Sequence, residues 1–166
     1  MLNLKIFENI RKIQSDYTEL KKNIANLQEE TKLNRNLQQI YALRLLRKLP
    51  LNYDMIIQGV GYADLSPKEA YKLYLDENLL FNFIDVSDQS YLPVKKIEHS
   101  IHIPFEHLES RFSEMTPKSK IIFVISEDGT KSILASEFFI RKGYLLVNNI
   151  SGGHQYWPGH KTEPQV

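Results

Sequence analysis

Apolar residues recur near the start of the chain at Ile6, Ile10, Ile13, Tyr17, Leu20, Ile24 and Leu27, in steps that alternate four and three. That spacing is a heptad repeat and predicts a helix with one apolar seam. No Gly or Pro interrupts residues 4–47, and Pro50 supplies a stop just beyond. The register then fails, because the next seam positions are Thr31, Asn34 and Gln38. A second stripe follows at Leu33, Leu37, Ile40, Leu43 or Arg44, and Leu46 or Arg47. The shift fits either a stutter in one long helix or a bend into a helical hairpin at residues 31–36. A lone helix cannot bury such a seam. It must pair with a second chain, fold back, or pack on the rest of the protein. An unbroken helix of about 44 residues would reach ~66 Å, which favours a homodimer through residues 4–47 as a parallel or antiparallel coiled coil.

Beyond Pro50 the period changes. Residues 51–61 read as a linker or edge segment. Ser66, Pro67 and Glu69 supply an N-cap, a first-turn proline and a capping-box acid, so a helix is expected to about Asp76. Strands are expected at residues 80–86, 100–104, 120–125 and 144–147, with helices near 105–113 and 131–142. Gly143 is placed to cap the last of these helices. Strands alternating with helices predict an α/β fold with a central parallel sheet flanked by helices.

Composition narrows the chemistry. The chain has 166 residues and no cysteine, which excludes disulfides, thiolate catalysis and cysteine-ligated metals. No run of 18 apolar residues exists to cross a membrane, and the first residues lack an apolar signal region, so cytoplasm is the expected location. The net charge of +1 hides a split: residues 1–50 hold ten Lys and Arg against five Asp and Glu, and the remainder holds eleven against fifteen. The basic residues are dispersed, so a solvated helix is expected and neither nucleic acid nor membrane is expected as a partner.

The candidate chemistry lies at Ser126-Glu127-Asp128-Gly129-Thr130-Lys131-Ser132, between the apolar run Ile121–Ile125 and a helical pattern. A strand, a glycine-containing loop and a helix start aim free backbone N–H groups at the loop centre and make an anion cradle. Ser132 is expected to bond backbone N–H groups at the helix start, and Lys131 to be an anion-binding or a solvated cation. Asp85, at a strand end, is expected to order the loop by hydrogen bonding, and Trp157 to plug the core. His99, His102 and His107 need not converge on one point, so no metal site is expected, and no cofactor.

The domain expected over residues 62–166 resembles a rhodanese-like domain from about Tyr62 to Gly159. Leu65-Ser66-Pro67-Lys68-Glu69-Ala70 is similar to the family's opening helix signature. Ile84-Asp85-Val86-Ser87 resembles its Asp-Val-Arg strand end, with Ser87 where arginine is usual. The stretch from Ile97 to Pro104 resembles its Ile-Pro-Gly-Ala-Ile-Asn-Ile-Pro segment, with Lys95-Lys96 where the family has Gly-His. Gly143-Tyr144, Gly152-Gly153 and Trp157 match its closing marks. The resemblance implies that Ser126 stands at the nucleophile position, where active members carry a cysteine that takes up a sulfane sulfur as a persulfide. Serine cannot hold a transferable sulfur, and its alkoxide is far harder to form than a thiolate of pKa ~8.5. Glu127 and Asp128 would also repel an anionic donor.

The expectation is a catalytically inactive rhodanese-like domain. It would act as a binding or regulatory module for an unidentified protein partner, dimerised by a helical extension at residues 1–50. Two alternatives remain: a rhodanese-type sulfurtransferase in a Cys-to-Ser form, and a serine-dependent hydrolase or phosphate-ester binder.

Overall fold

The computed structural model describes residues 2–91, 96–115, 117–118 and 120–162. Helix α1 runs unbroken from Leu2 to Leu46, so the register change at residues 31–36 is carried within one helix. With no Gly or Pro in that stretch, nothing local breaks the backbone ladder. Two compact units divide at Gln38 and Gln39. In the first, the seam from Ile6 to Leu27 is exposed, each of its seven side chains between 45% and 66%.

The second unit begins with the last turns of α1, where Ile40 and Arg44 are buried. Then follow α2 (Tyr53–Gln58), β1 (Ala63–Leu65), α3 (Pro67–Tyr74), β2 (Phe81–Asp85), β3 (Lys96–Ile97) and β4 (Ser100–His102). After 3₁₀ turns around α4 (Leu108–Arg111) come β5 (Ile121–Ile125), α5 (Thr130–Arg141), β6 (Leu146–Ile150), α6 (Gly153–Tyr156) and β7 (Lys161–Thr162). Strands β1, β6, β5, β2 and β4 lie in that order in one sheet, and all its pairs are parallel. Strands β3 and β7 form a small antiparallel pair.

The sheet is covered on both faces, as the apolar runs require. On one face Ile84, Val86, Ile122, Val124 and Val147 pack with Leu108 of α4 and with Ala135 and Phe139 of α5. On the other, Phe83 and Trp157 meet edge to face at 5.3 Å, and Tyr71 and Tyr74 of α3 close on Trp157 at 5.4 and 5.5 Å. Trp157 is thus a core plug, as its sequence context suggests. The capping box at α3 is complete: Ser66 Oγ accepts the Glu69 N–H at 3.4 Å, and Glu69 accepts the Ser66 N–H at 3.0 Å.

Two expectations need correction, and one strand is additional. Residues 53–58 are helical rather than linker, with Met55 buried. β1 precedes the capping box, at three residues too short for a period of apolar positions to predict it. The last long strand is residues 146–150, not 144–147. Tyr144 lies before it, its hydroxyl donating to the Phe112 carbonyl at 2.8 Å. Asn148 and Asn149 are accommodated in a buried strand because each finds distant partners. Asn148 donates to the Ile122 carbonyl at 3.1 Å and accepts from Arg44 at 2.7 Å. Asn149 donates to Asp64 at 2.6 Å.

Candidate functional site

Strand β5 is central and wholly buried, and it delivers the chain at Ser126 to the carboxyl edge of the sheet. Open parallel sheets place ligand sites at that edge. Gly129, at φ 95°, turns the chain into α5 in a left-handed conformation that suits glycine. A Cβ there would also meet the Gly152 nitrogen at 2.7 Å. At Gly153 a Cβ would overlap the Ser126 carbonyl oxygen, and the His154 N–H donates to that same oxygen at 2.9 Å. The two loops are therefore pressed backbone to backbone, which explains Gly153, while at Gly152, φ 70°, a Cβ would meet the Tyr156 ring.

Ser126 is fully buried. Its Oγ accepts the Gly129 N–H at 3.1 Å and the Ser132 N–H at 3.2 Å, and lies 3.4 Å from the Ser132 hydroxyl. The cradle is present, and a neutral hydroxyl oxygen fills it. Ser132 behaves differently from expectation. Its hydroxyl donates to the Gly129 carbonyl at 3.0 Å, and the capping of loop N–H groups falls to Ser126. Asp128 accepts the Thr130 N–H at 2.9 Å, a local turn that faces its carboxylate outward.

Lys131 is neither a free anion receptor nor a solvated charge. Its ammonium pairs closely with Asp88 and lies 3.6 Å from Glu127 and 3.9 Å from Glu106. The hydrogen bond with Asp88 holds the Lys131 pKa above and the Asp88 pKa below their usual values, with Glu127 and Glu106 adding to the shift of the lysine. Glu127 also accepts the Asp88 N–H at 2.6 Å, which fixes the segment after β2 to the loop. The outer opening is a depression of about 430 Å³ lined by Asp88, Ser90, Tyr91, Glu127, Asp128, Thr130 and Lys131. Three carboxylates and one ammonium give it a net negative lining.

Asp85 does not bond the 126–132 loop directly, and its carboxylate ties the end of β2 to α6 instead. It accepts the Ser87 N–H at 3.0 Å and pairs with His154 Nε2 at 2.7 Å, both side chains nearly fully buried. Burial pushes the Asp85 carboxyl up, but the hydrogen bond and attraction of His154 and the bond from the Ser87 N–H outweigh it and hold the group below its usual 3.8. This stabilisation is complete above the unfolded-state value and is lost as pH falls through 3.8 toward the folded value. The urea midpoint is accordingly expected to drop as pH is lowered from about 5 to about 2. Asp85→Asn should flatten part of that slope and lower the midpoint at neutral pH.

Ser87, at the position where the resemblance implies arginine, is buried, and its Oγ has no hydrogen-bond partner. Its carbonyl meets His102 Nε2 at 2.9 Å. His99 is in a turn at φ 60° beside Glu98, and His107 closes a 3₁₀ turn. Among the described residues no three His, Asp or Glu side chains converge as a metal site. Lys95 lies outside the described residues, and Lys96 opens β3. The His154–Asp85 pair and the placing of Asp88 and Glu106 against Lys131 are not visible in the sequence. The only local hint is a histidine directly after the glycine pair.

This geometry defines a class: a parallel α/β domain with a phosphate-loop-like cradle at the end of its central strand. Residues 66–160 match the family described as the Rhodanese-like domain, and the chain belongs to that family. It is 30% identical over 95 residues to YrkF of Bacillus subtilis, a protein named for sulfur carriage, covering 57% of this chain and 50% of that one. It is 25% identical over 99 residues to the thiosulfate sulfurtransferase GlpE of Coxiella burnetii, covering 60% and 90%. The chain thus spans half the length of the first relative and most of the second. Among solved structures, a rhodanese-like domain protein of Staphylococcus aureus superposes with a TM-score of 0.55 at 18% identity, covering 62% of this chain and 99% of that one. A rhodanese-related protein of Thermoplasma volcanium gives 0.53 at 24%, covering 62% and 100%. These likenesses establish the fold. Among the described residues no helix is long and apolar enough to cross a membrane.

Proposed function

We propose that this chain is a rhodanese-like domain without sulfurtransferase activity, serving as a binding or regulatory module and self-associating through residues 4–47. The observation that carries the first part is the state of Ser126. Its oxygen occupies the cradle, accepts two backbone N–H groups, and has a second hydroxyl, not a base, as its remaining neighbour. A sulfurtransferase needs a thiolate there, and the chain has no cysteine to supply one. The acidic lining of the opening adds a second obstacle, because the donor of that reaction is an anion.

A hydrolase reading is disfavoured by the same geometry. The neighbouring histidine, His154, commits Nε2 to Asp85, and no hydrogen bond joins its ring to Ser126. A serine nucleophile without an adjacent base stays a weak alcohol. The second part of the proposal rests on the exposed seam from Ile6 to Leu27. Location in the cytoplasm and the identity of the protein partner belong to the same proposal.

The test is a thiosulfate:cyanide assay of the purified chain, with light scattering on the same sample. The proposal expects turnover no faster than the protein-free control and a mass of two chains of 19.4 kDa each. Robust turnover would overturn the first part, and a monomer mass at micromolar concentration the second.

A further inference from the structure

The exposed seam of α1 carries information about orientation as well as association. Steps of four and three assign Ile10, Tyr17 and Ile24 to heptad position a, and Ile6, Ile13, Leu20 and Leu27 to position d. The flanking g positions are then Asn9, Asp16, Asn23 and Glu30, and the e positions Gln14, Lys21, Gln28 and Arg35. In a parallel coiled coil each g residue faces the e residue five positions later on the other helix. Applied to two copies of this chain, that rule pairs Asn9 with Gln14, Asp16 with Lys21, Asn23 with Gln28, and Glu30 with Arg35. Two contacts are opposite charges and two are neutral amides, and no like charges meet.

An antiparallel pair would place g beside g and e beside e. The acids at g would then face only Asn or each other, and the bases at e only Gln or each other. None of the four charges would find an opposite partner. Within the chain they have no other ion pair either: among the described residues, no ion pair involves Asp16, Lys21, Glu30 or Arg35. All four are exposed. Lys21 lies over the Tyr17 ring at 4.7 Å, at the edge of the seam it would flank.

We infer that the occupant of this seam is a second copy of the chain, docked parallel and in register as a two-stranded coil. This rests on the self-association proposed above and specifies its geometry. Asp16–Lys21 and Glu30–Arg35, each formed twice between copies, set direction and register. Ile24 at a between Leu20 and Leu27 at d is the combination that favours two strands, whereas Ile10 between Ile6 and Ile13 has no such preference, so the two-stranded form rests on the C-terminal half of the seam. The apolar seam covers three heptads, about 33 Å of helix. The Glu30–Arg35 contact closes the coil one turn further on, beside the polar seam positions Thr31 and Asn34.

Because the chain has no cysteine, single introduced cysteines report the geometry directly. Ile10→Cys and Leu27→Cys are made separately in the full chain and oxidised mildly with glutathione disulfide. The inference expects each variant to cross-link to itself. An antiparallel coil centred between Tyr17 and Leu20 would cross-link only a mixture of the two variants, at Ile10 against Leu27. Light scattering on the untreated chain separates the failures. A monomer mass would remove self-association and this inference together. A dimer that cross-links only as the mixture would overturn the orientation alone, and a trimer mass would overturn the two-stranded coil. Lys21→Glu with Arg35→Glu turns all four ionic contacts repulsive, and should weaken association at least about tenfold while leaving the helical content of the second unit unchanged. Unchanged association of that variant would also overturn the inference.

Discussion

A Ser126→Cys variant is expected to transfer sulfur from thiosulfate to cyanide about 100-fold more slowly than the same variant carrying Asp88→Asn, Glu127→Gln and Asp128→Asn in addition, or about fivefold per carboxylate removed, as for partly screened charges. The reason is the lining of the opening. Lys131 is the one cation among the residues that line the opening, and its charge is already shared among Asp88, Glu127 and Glu106. A dianion approaching the loop meets carboxylates before it meets backbone N–H groups, so the helix N-terminus and cradle are screened from it. The amide substitutions keep the acceptor oxygens that bind the Asp88 and Thr130 N–H groups. The loop should therefore hold its shape while its charge changes. Equal rates for the two variants, measured with urea midpoints to confirm that both fold, would mean that the acidic lining is not an obstacle.

The largest stability effect is expected at Arg44. Its guanidinium is fully buried and has no carboxylate among its hydrogen-bond partners. It donates to the Pro50 carbonyl at 2.7 Å, the Val147 carbonyl at 3.2 Å and Asn148 Oδ1 at 2.7 Å. Burial pulls its pKa down to about 10, which still leaves it charged at neutral pH. Through these bonds it ties the last turns of α1 to β6 and satisfies acceptors that the strand alone leaves open. Arg44→Ala removes a large buried side chain and strands three acceptors, and should cost about 4 kcal/mol of unfolding free energy in urea. Arg44→Met restores most of the volume without the donors and should cost about 2 kcal/mol. A loss below about 1 kcal/mol for the alanine variant would contradict this role.

How much of this was legible in the sequence depended on how far each partner lay along the chain. The Ser66–Glu69 capping box spans three residues and read correctly, as did the apolar run that became β5. The loop from Ser126 to Ser132 was recognisable by its spacing and by its resemblance to a family. β6 was displaced in the sequence reading because Asn148 and Asn149 look unlike a buried strand. What makes them tolerable is Arg44, 104 residues before Asn148, and Asp64, 85 residues before Asn149. Arg44 itself read as one of two choices for a helical stripe, since a buried arginine is only explicable once its acceptors are known. Lys131 was open for the same reason. Asp88 is 43 residues away, and Glu106 lies in a 3₁₀ turn with no pattern of its own. α2 was too short for a period to show.

The loop keeps the shape of a sulfur-transfer site, and the proposal is that it lacks both the nucleophile and the electrostatics of sulfur capture. Incubating Ser126→Cys with thiosulfate and following the mass of the intact protein over time checks this. The persulfide, one sulfur atom heavier, should build up about 100-fold more slowly than in the variant that also carries Asp88→Asn, Glu127→Gln and Asp128→Asn. Equal rates of persulfide formation in the two variants would rule the proposal out.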